Sequence, residues 1–134
     1  MLRTIMAVVA LSTLAACSDN SITSTTTASL AGTYSLQSVS GRTVPFVQST
    51  NPTVELIGET LVVNSDGTFT ITTNRRNTDA IGVVSTQIEN DAGSFTMLGS
   101  QGAFHFNTGN TASAVFSGNT LTLATSTSQS VYVK

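Results

Sequence analysis

The sequence predicts an all-β fold, in which an antiparallel up-and-down meander closes into a small eight-stranded barrel. From residue 30 onward, apolar and polar residues alternate in short runs, and a period of two indicates half-buried strands. Gly, Asn and Asp recur between these runs, as is typical of tight turns. Ser and Thr make up 42 of the 134 residues. The β-branched Thr favours strands, whereas the strong helix formers Glu, Lys and Arg are scarce.

Residues 1–16 predict an export signal that is removed from the mature protein. Arg3 gives the start a positive charge, and a largely apolar stretch follows over residues 4–13. This stretch is shorter than the roughly 20 residues that a helix needs to cross a bilayer. Leu-Ala-Ala-Cys at residues 14–17 resembles the lipobox of bacterial lipoproteins, which implies cleavage before Cys17 and a lipid on its thiol. The alternative is an ordinary signal peptide that is cut near Ala16.

The lipobox resemblance implies a lipid-anchored protein of the bacterial cell envelope. In lipoproteins the mature cysteine carries several acyl chains, palmitate among them, and two or more chains hold a protein firmly on a membrane. Ser18 follows the cysteine, which resembles the sorting pattern for the outer membrane, with the protein facing either the periplasm or the outside. Residues 17–29 contain a single large apolar residue and are expected to form a flexible tether.

The first strands of the domain at residues 30–134 are predicted from its alternating runs. Tyr34 and Leu36 share one face of the first strand, because strand residues two positions apart point the same way. A second alternating run covers residues 54–63, and Gly58 interrupts it. One strand with a glycine bulge and two shorter strands are both compatible with this pattern.

The rest of the domain is predicted to form a succession of hairpins. Ser65-Asp66-Gly67 forms the clearest turn, because it separates two alternating runs and glycine readily adopts a positive φ. Residues 74–79 are expected to form a polar loop that carries Arg75 and Arg76, and residues 90–93 are expected to turn the chain. The later runs are Phe95 to Met97, Phe104 to Phe106, Ala112 to Phe116, Leu121 to Leu123 and Val131 to Val133.

Consecutive runs joined by tight turns favour a barrel over the alternative fold, a two-sheet β-sandwich. Closure removes the exposed edges that a long open meander would leave. A sandwich needs long connections between its sheets, and only residues 40–53 and 74–80 are long enough to serve.

The motifs of the domain, taken in order, resemble those of small bacterial lipocalin-like lipoproteins. The resemblance rests on Leu30 to Leu36, Ser40 to Phe46, Asn64 to Phe69 and Ser117 to Leu123. It implies an up-and-down barrel, and the wider lipocalin group binds small apolar molecules in a cup. Gly-Thr-Tyr at residues 32–34 departs from the Gly-x-Trp of true lipocalins, and the chain is shorter than theirs.

The composition indicates a protein without catalytic, metal or nucleic-acid chemistry. Only 9% of the residues are charged and the net charge is -2, which leaves no basic face for nucleic acid. His105 is the only histidine and lies between two phenylalanines, so we expect it on the outer face without partners for a metal. Glu55 and Glu59 would meet only if Gly58 distorted the strand, and both are expected to be solvated. With no catalytic motif in the chain, we expect neither an enzyme nor a bound cofactor.

The barrel interior is the basis of the binding hypothesis. An eight-stranded barrel is just wide enough to be filled by its own side chains or to hold one small ligand. We expect a monomeric lipoprotein, bound to the membrane through Cys17, whose domain binds a small apolar ligand. The alternative is an envelope scaffold with a solid core that contacts a protein or a glycan. The residues expected to line the ligand site are Tyr34, Leu36, Phe69, Ile71, Phe95, Met97, Phe104, Phe106 and Phe116.

Overall fold

The computed structural model describes residues 27–134 as one short helix followed by ten strands. The elements are α1 (Thr27–Leu30), β1 (Gly32–Val39), β2 (Arg42–Thr43), β3 (Phe46–Thr50), β4 (Thr53–Val63), β5 (Thr68–Thr78), β6 (Val84–Leu98), β7 (Gln101–Phe106), β8 (Thr111–Ser117), β9 (Thr120–Ala124) and β10 (Gln129–Val133). The expected signal peptide and Cys17 lie outside the described residues, as do residues 18–26 of the expected tether. Helix α1 overlaps the end of that tether. No helix within the described range is long and apolar enough to cross a membrane.

Eight strands form a closed antiparallel barrel, so the predicted fold class is confirmed. Strands β4 to β10 pair in sequence order, and β1 pairs with β10 on one side and with β4 on the other. The pairing of Gly32 with Val63 through Ser35 with Thr60 closes the ring. Strands β2 and β3 are short additions that pair with β1 and β4 respectively. Because the sheet closes on itself, the β-sandwich alternative is wrong.

Strand β4 is one continuous strand with an irregularity at Gly58, which decides between the two readings of this run. Its register against β5 shifts between Leu56 and Gly58. The shift changes which residues point inward, because side chains alternate with a period of two. Leu56 and Leu61 are therefore both buried, although an odd number of positions separates them.

Two expected connections are in fact parts of long strands. Arg75 and Arg76 lie in β5, and the expected turn at residues 90–93 lies in the middle of β6. Gly93 serves close packing there, since a Cβ atom on it would lie 2.0 Å from the backbone oxygen of His105 and 2.9 Å from the ring of Phe69. A glycine required by a neighbouring strand looks, in the sequence, like a glycine required by a turn.

The packed core fills the end of the barrel at which the turn between β4 and β5 lies. The Phe104 ring lies 4.8 Å from the Phe69 ring and 5.1 Å from the Phe95 ring, measured between centroids. The hydroxyl of Tyr34 donates a hydrogen bond of 2.7 Å to the backbone oxygen of Leu30, and both residues are buried. Helix α1 is thus attached to this end of the barrel, which we call the closed end.

The hairpin of β5 and β6 extends beyond the barrel at the opposite, open end. Strand β6 pairs with β7 only from Gly93 onward, so residues 84–90 have β5 on one side and no strand on the other. All seven of these residues are exposed. Ile88 is 62% exposed, and Ile81 near the hairpin tip is 85% exposed.

Candidate functional site

The open end of the barrel contains a cavity of about 500 Å³, which we call the cup. Its walls come from the inner faces of β4, β5 and β6 on one side and of β9 and β10 on the other. The connections after β7 and β9 form part of its rim. Small-molecule sites typically measure about 300–1,000 Å³. The cup therefore has the size of a site for one small ligand.

The deepest part of the cup is apolar, and we call it the apolar floor. It consists of Ile71, Phe106, Ala112 and Leu123. Three of these residues are almost fully buried, with exposed fractions of 6% for Ile71, 2% for Ala112 and 5% for Leu123. Ala112 is small, so β8 leaves space where a larger inward side chain would fill the barrel.

One side of the cup carries three carboxylates, and we call it the acidic wall. Glu59, Thr73 and Glu89 form one row across β4, β5 and β6, because Thr73 pairs with Glu59 on one side and with Glu89 on the other. Asp91 lies in the next row, opposite Ile71. Alternation along each strand directs all of these side chains inward.

Glu59 is held in place by two neutral donors. The hydroxyl of Thr73 donates a hydrogen bond of 2.6 Å to Oε2 of Glu59, and the hydroxyl of Tyr132 donates to Oε1. Tyr132 is 2% exposed. Burial raises the pKa of Tyr132 well above its ordinary value, and the negative charge of Glu59 raises it further. Tyr132 therefore remains a neutral hydrogen-bond donor at physiological pH.

Arg75 is the single cationic residue among those that line the cup. Its guanidinium forms an ion pair with Glu89, and its Nε donates a hydrogen bond of 3.1 Å to Gln48. Arg76 points to the outer face and pairs with Glu55. The two adjacent arginines thus lie on opposite faces of β5, each bound to the carboxylate of a neighbouring strand.

Hydroxyl groups line the cup opposite the acidic wall, and we call this side the hydroxyl wall. It consists of Thr125, Ser128 and Ser130. The hydroxyls of Thr125 and Ser128 lie 3.1 Å apart within hydrogen-bonding distance. Each hydroxyl is able both to donate and to accept a hydrogen bond, whereas carboxylates only accept.

The predicted lining residues divide between the cup and the core. Ile71 and Phe106 line the cup. The other seven belong to the packed core: Tyr34, Leu36, Phe69, Phe95 and Phe104 are buried, and Met97 and Phe116 are half-buried against them.

The acidic wall is the part of the site that the sequence pattern does not predict. Glu59 was expected to be solvated, yet it is half-buried inside the barrel, while Glu55 lies on the outer face, so the two do not meet. The odd spacing from Leu56 to Leu61 was the available signal. It requires a bulge, after which Glu59 shares the inward face with Leu61. Asp91 shares the inward face of β6 with Phe95. The turn expected at residues 90–93 placed Asp91 outside any strand, so this shared face was not predicted.

His105 lies exposed on the outer face of β7, with its Nδ1 atom 3.2 Å from the hydroxyl of Thr111. Among residues 27–134, no three His, Cys, Asp or Glu side chains are grouped so as to hold a metal ion.

Comparisons of the chain with protein-family models, with curated proteins and with solved structures each give no match.

Proposed function

We propose that this protein is a lipid-anchored component of the bacterial envelope that binds a small amphipathic molecule in the cup. The observation that carries the binding function is the combination of an apolar floor with polar walls in one open cavity of about 500 Å³. The lipobox-like residues 14–17 support the anchor. Cys17 would hold the protein on the membrane, while the barrel receives the ligand.

The lining of the cup favours an amphipathic ligand over a wholly apolar one. Burial of a methylene group contributes about 0.8 kcal/mol, so an alkyl tail that reaches Ile71 and Leu123 gains affinity. A wholly apolar ligand would also cover Glu59 and Asp91, and covering a charged group without a polar partner is costly. A polar head group at the level of the acidic wall avoids that cost.

Methyl NMR tests this function on the complete lipidated protein in nanodiscs of zwitterionic lipid. We expect octanol to shift the methyl resonances of Ile71 and Leu123 in a saturable manner, while those of Leu61 in the core stay nearly unchanged. The substitution Ala112→Leu fills part of the floor and should weaken binding about tenfold. Val115→Ile on the outer face of the same strand is the matched control. If neither octanol nor its charged analogues of the same length give a saturable shift at Ile71, the cup is not a binding site.

A second candidate function, contact with another envelope protein, is favoured by the free edge of β6. The backbone oxygen of Ala92 accepts a hydrogen bond from the Asn107 amide, so even-numbered residues of β6 direct their backbone groups away from β5. Thr86 and Ile88 therefore present unpaired backbone groups, to which an extended segment of a partner is able to add as a strand.

Photo-crosslinking in cells of the host tests this second candidate. A photoreactive residue at position 88 should give a covalent adduct of discrete mass. Thr86→Pro should abolish the adduct, because proline removes a donor from the free edge without disturbing the pairing with β5. A photoreactive residue at Val115 is the control for random contact. An adduct that persists in Thr86→Pro would rule out strand addition at this edge.

A further inference from the structure

We propose that the ligand of the cup is a small organic cation, with an N–H-bearing head group and a short apolar tail. This inference rests on the proposed binding function and specifies the chemistry of the ligand. The cup contains the carboxylates of Glu59, Glu89 and Asp91, and one guanidinium, that of Arg75. Arg75 already pairs with Glu89. Two negative charges are thus left in a partly enclosed cavity whose floor is apolar.

Glu59 is built into the barrel as a fixed acceptor. Its two oxygens receive hydrogen bonds from Thr73 and Tyr132, which are neutral, buried donors on two different strands. Each carboxylate oxygen has two lone pairs, so each keeps one for a further donor. Within residues 27–134 no cation forms an ion pair with Glu59 or Asp91. A half-buried carboxylate without a counter-charge is costly, and a bound cation lowers that cost.

The hydroxyl wall fits the same head group. An ammonium group has three N–H donors and no acceptor. Glu59 and Asp91 accept from it on one side, and the oxygens of Ser128 and Ser130 lie on the other side of the cup. An anionic head group would instead lie beside two carboxylates of its own sign. The cup should therefore select by charge among ligands that share one tail.

The apolar floor sets a second requirement for the ligand, which is an apolar tail. Ile71 and Leu123 lie at the bottom of the cup, below the row of Glu59, Thr73 and Glu89. A cation without an apolar part would leave this floor in contact with water. A head group at the acidic wall with a tail directed to the floor uses both zones at once.

Three probes with the same eight-carbon tail test the charge preference: octylamine, octanol and octanoate. Binding is followed by the Ile71 methyl resonance of the lipidated protein in zwitterionic nanodiscs at pH 7, with free probe concentrations corrected for partition into empty nanodiscs. We expect octylamine to bind about tenfold more tightly than octanol, and octanoate about tenfold more weakly. Equal affinities, or tighter binding of octanoate, would overturn the cation assignment while leaving the cup as a binding site. If none of the three binds, the proposed function itself fails.

Two further measurements assign the preference to the acidic wall. Glu59→Gln keeps an acceptor of the same size but removes the charge, so octylamine affinity should fall about tenfold, and by clearly more than octanol affinity. Glu55→Gln on the outer face is the matched control and should change neither. Added salt should weaken octylamine binding to the unaltered protein and leave octanol binding unchanged, because only the charged head is screened. This salt series decides the question even if Glu59→Gln does not fold, and salt-independent octylamine binding would contradict the proposal.

Discussion

The hydroxyl of Tyr132 donates a hydrogen bond to the carboxylate of Glu59, which lies 73 positions earlier in the chain. The two residues are on β10 and β4, which do not pair with each other, because β1 lies between them. The bond therefore spans the inner face of β1 at the place where the barrel closes. The strands that close the barrel therefore also hold Glu59, the central carboxylate of the cup, in position.

We predict that Tyr132 and Glu59 are energetically coupled. In a double-mutant cycle of Tyr132→Phe and Glu59→Gln, the coupling free energy should be about 1 kcal/mol, because hydrogen bonds to charged groups are stronger than neutral ones. Urea unfolding at pH 7 measures the four stabilities. If the two substitutions are additive within about 0.3 kcal/mol, the charge of Glu59 does not strengthen the bond.

We predict that stability falls steeply above pH 10. Burial raises the pKa of Tyr34 and of Tyr132 above the ordinary value of 10.0 in the folded protein. A raised folded-state pKa gives stability that is complete below the unfolded value and is lost as the pH rises toward the folded value. The unfolding free energy should therefore decrease with a slope of up to about 1.4 kcal/mol per pH unit for each tyrosine.

Urea unfolding between pH 7 and pH 11 measures this slope, and Tyr132→Phe provides the control. The variant keeps Tyr34 and should lose only the share of the slope that belongs to Tyr132. An identical slope in the variant and the unaltered protein would show that Tyr132 ionises as readily in the folded barrel as in the unfolded chain.

We predict that Gly93→Ala destabilises the barrel by about 3 kcal/mol, because the new methyl group would overlap the backbone oxygen of His105 and force β6 and β7 apart. Gly58→Ala is the matched control, since a Cβ atom at Gly58 meets nothing within 4 Å. The control should change stability by less than about 1 kcal/mol. Thermal or urea unfolding compares the two, and equal effects would contradict the close-packing role of Gly93.

We predict that Arg75→Met increases the affinity for octylamine about threefold to tenfold, because it frees the carboxylate of Glu89 at the rim of the cup. Stability should change by less than about 1 kcal/mol, since the pair is partly exposed. Arg76→Met is the matched control: it removes the same charge from the outer face, where Arg76 pairs with Glu55. The Ile71 methyl titration separates the two variants, and an equal increase in both would mean that net charge alone is responsible.

We predict that Cys17→Ser abolishes acylation and membrane attachment and leaves the barrel folded, because the first strand begins only at Gly32. Metabolic labelling with a fatty-acid analogue, followed by detergent partitioning, measures the first effect, and the methyl spectrum of the barrel measures the second. Continued labelling of the variant would refute the lipid attachment at Cys17. If the unaltered protein is itself unlabelled and is cut near Ala16, the ordinary signal peptide is the correct interpretation.

The alternation of residues was sufficient to predict most of the strands and their closure. Tyr34 and Leu36, Phe69 and Ile71, and Leu121 and Leu123 all point inward as the period of two requires. This works because burial acts on each strand locally: a strand with one apolar face must turn that face to the core. Closure follows from the need to pair the edges of a meander.

The sequence by itself determined most of the strands, the barrel class and the lipobox-like start at residues 14–17. The tertiary structure decided the composition of the cup. The bulge at Gly58 places Glu59 inside the barrel, and the close approach of β7 explains Gly93 and leaves Asp91 within a strand. Both effects depend on contacts between strands. A one-residue change of register exchanges the inner and outer faces of a strand. In the sequence, the only sign of such a change is an odd spacing between two apolar residues.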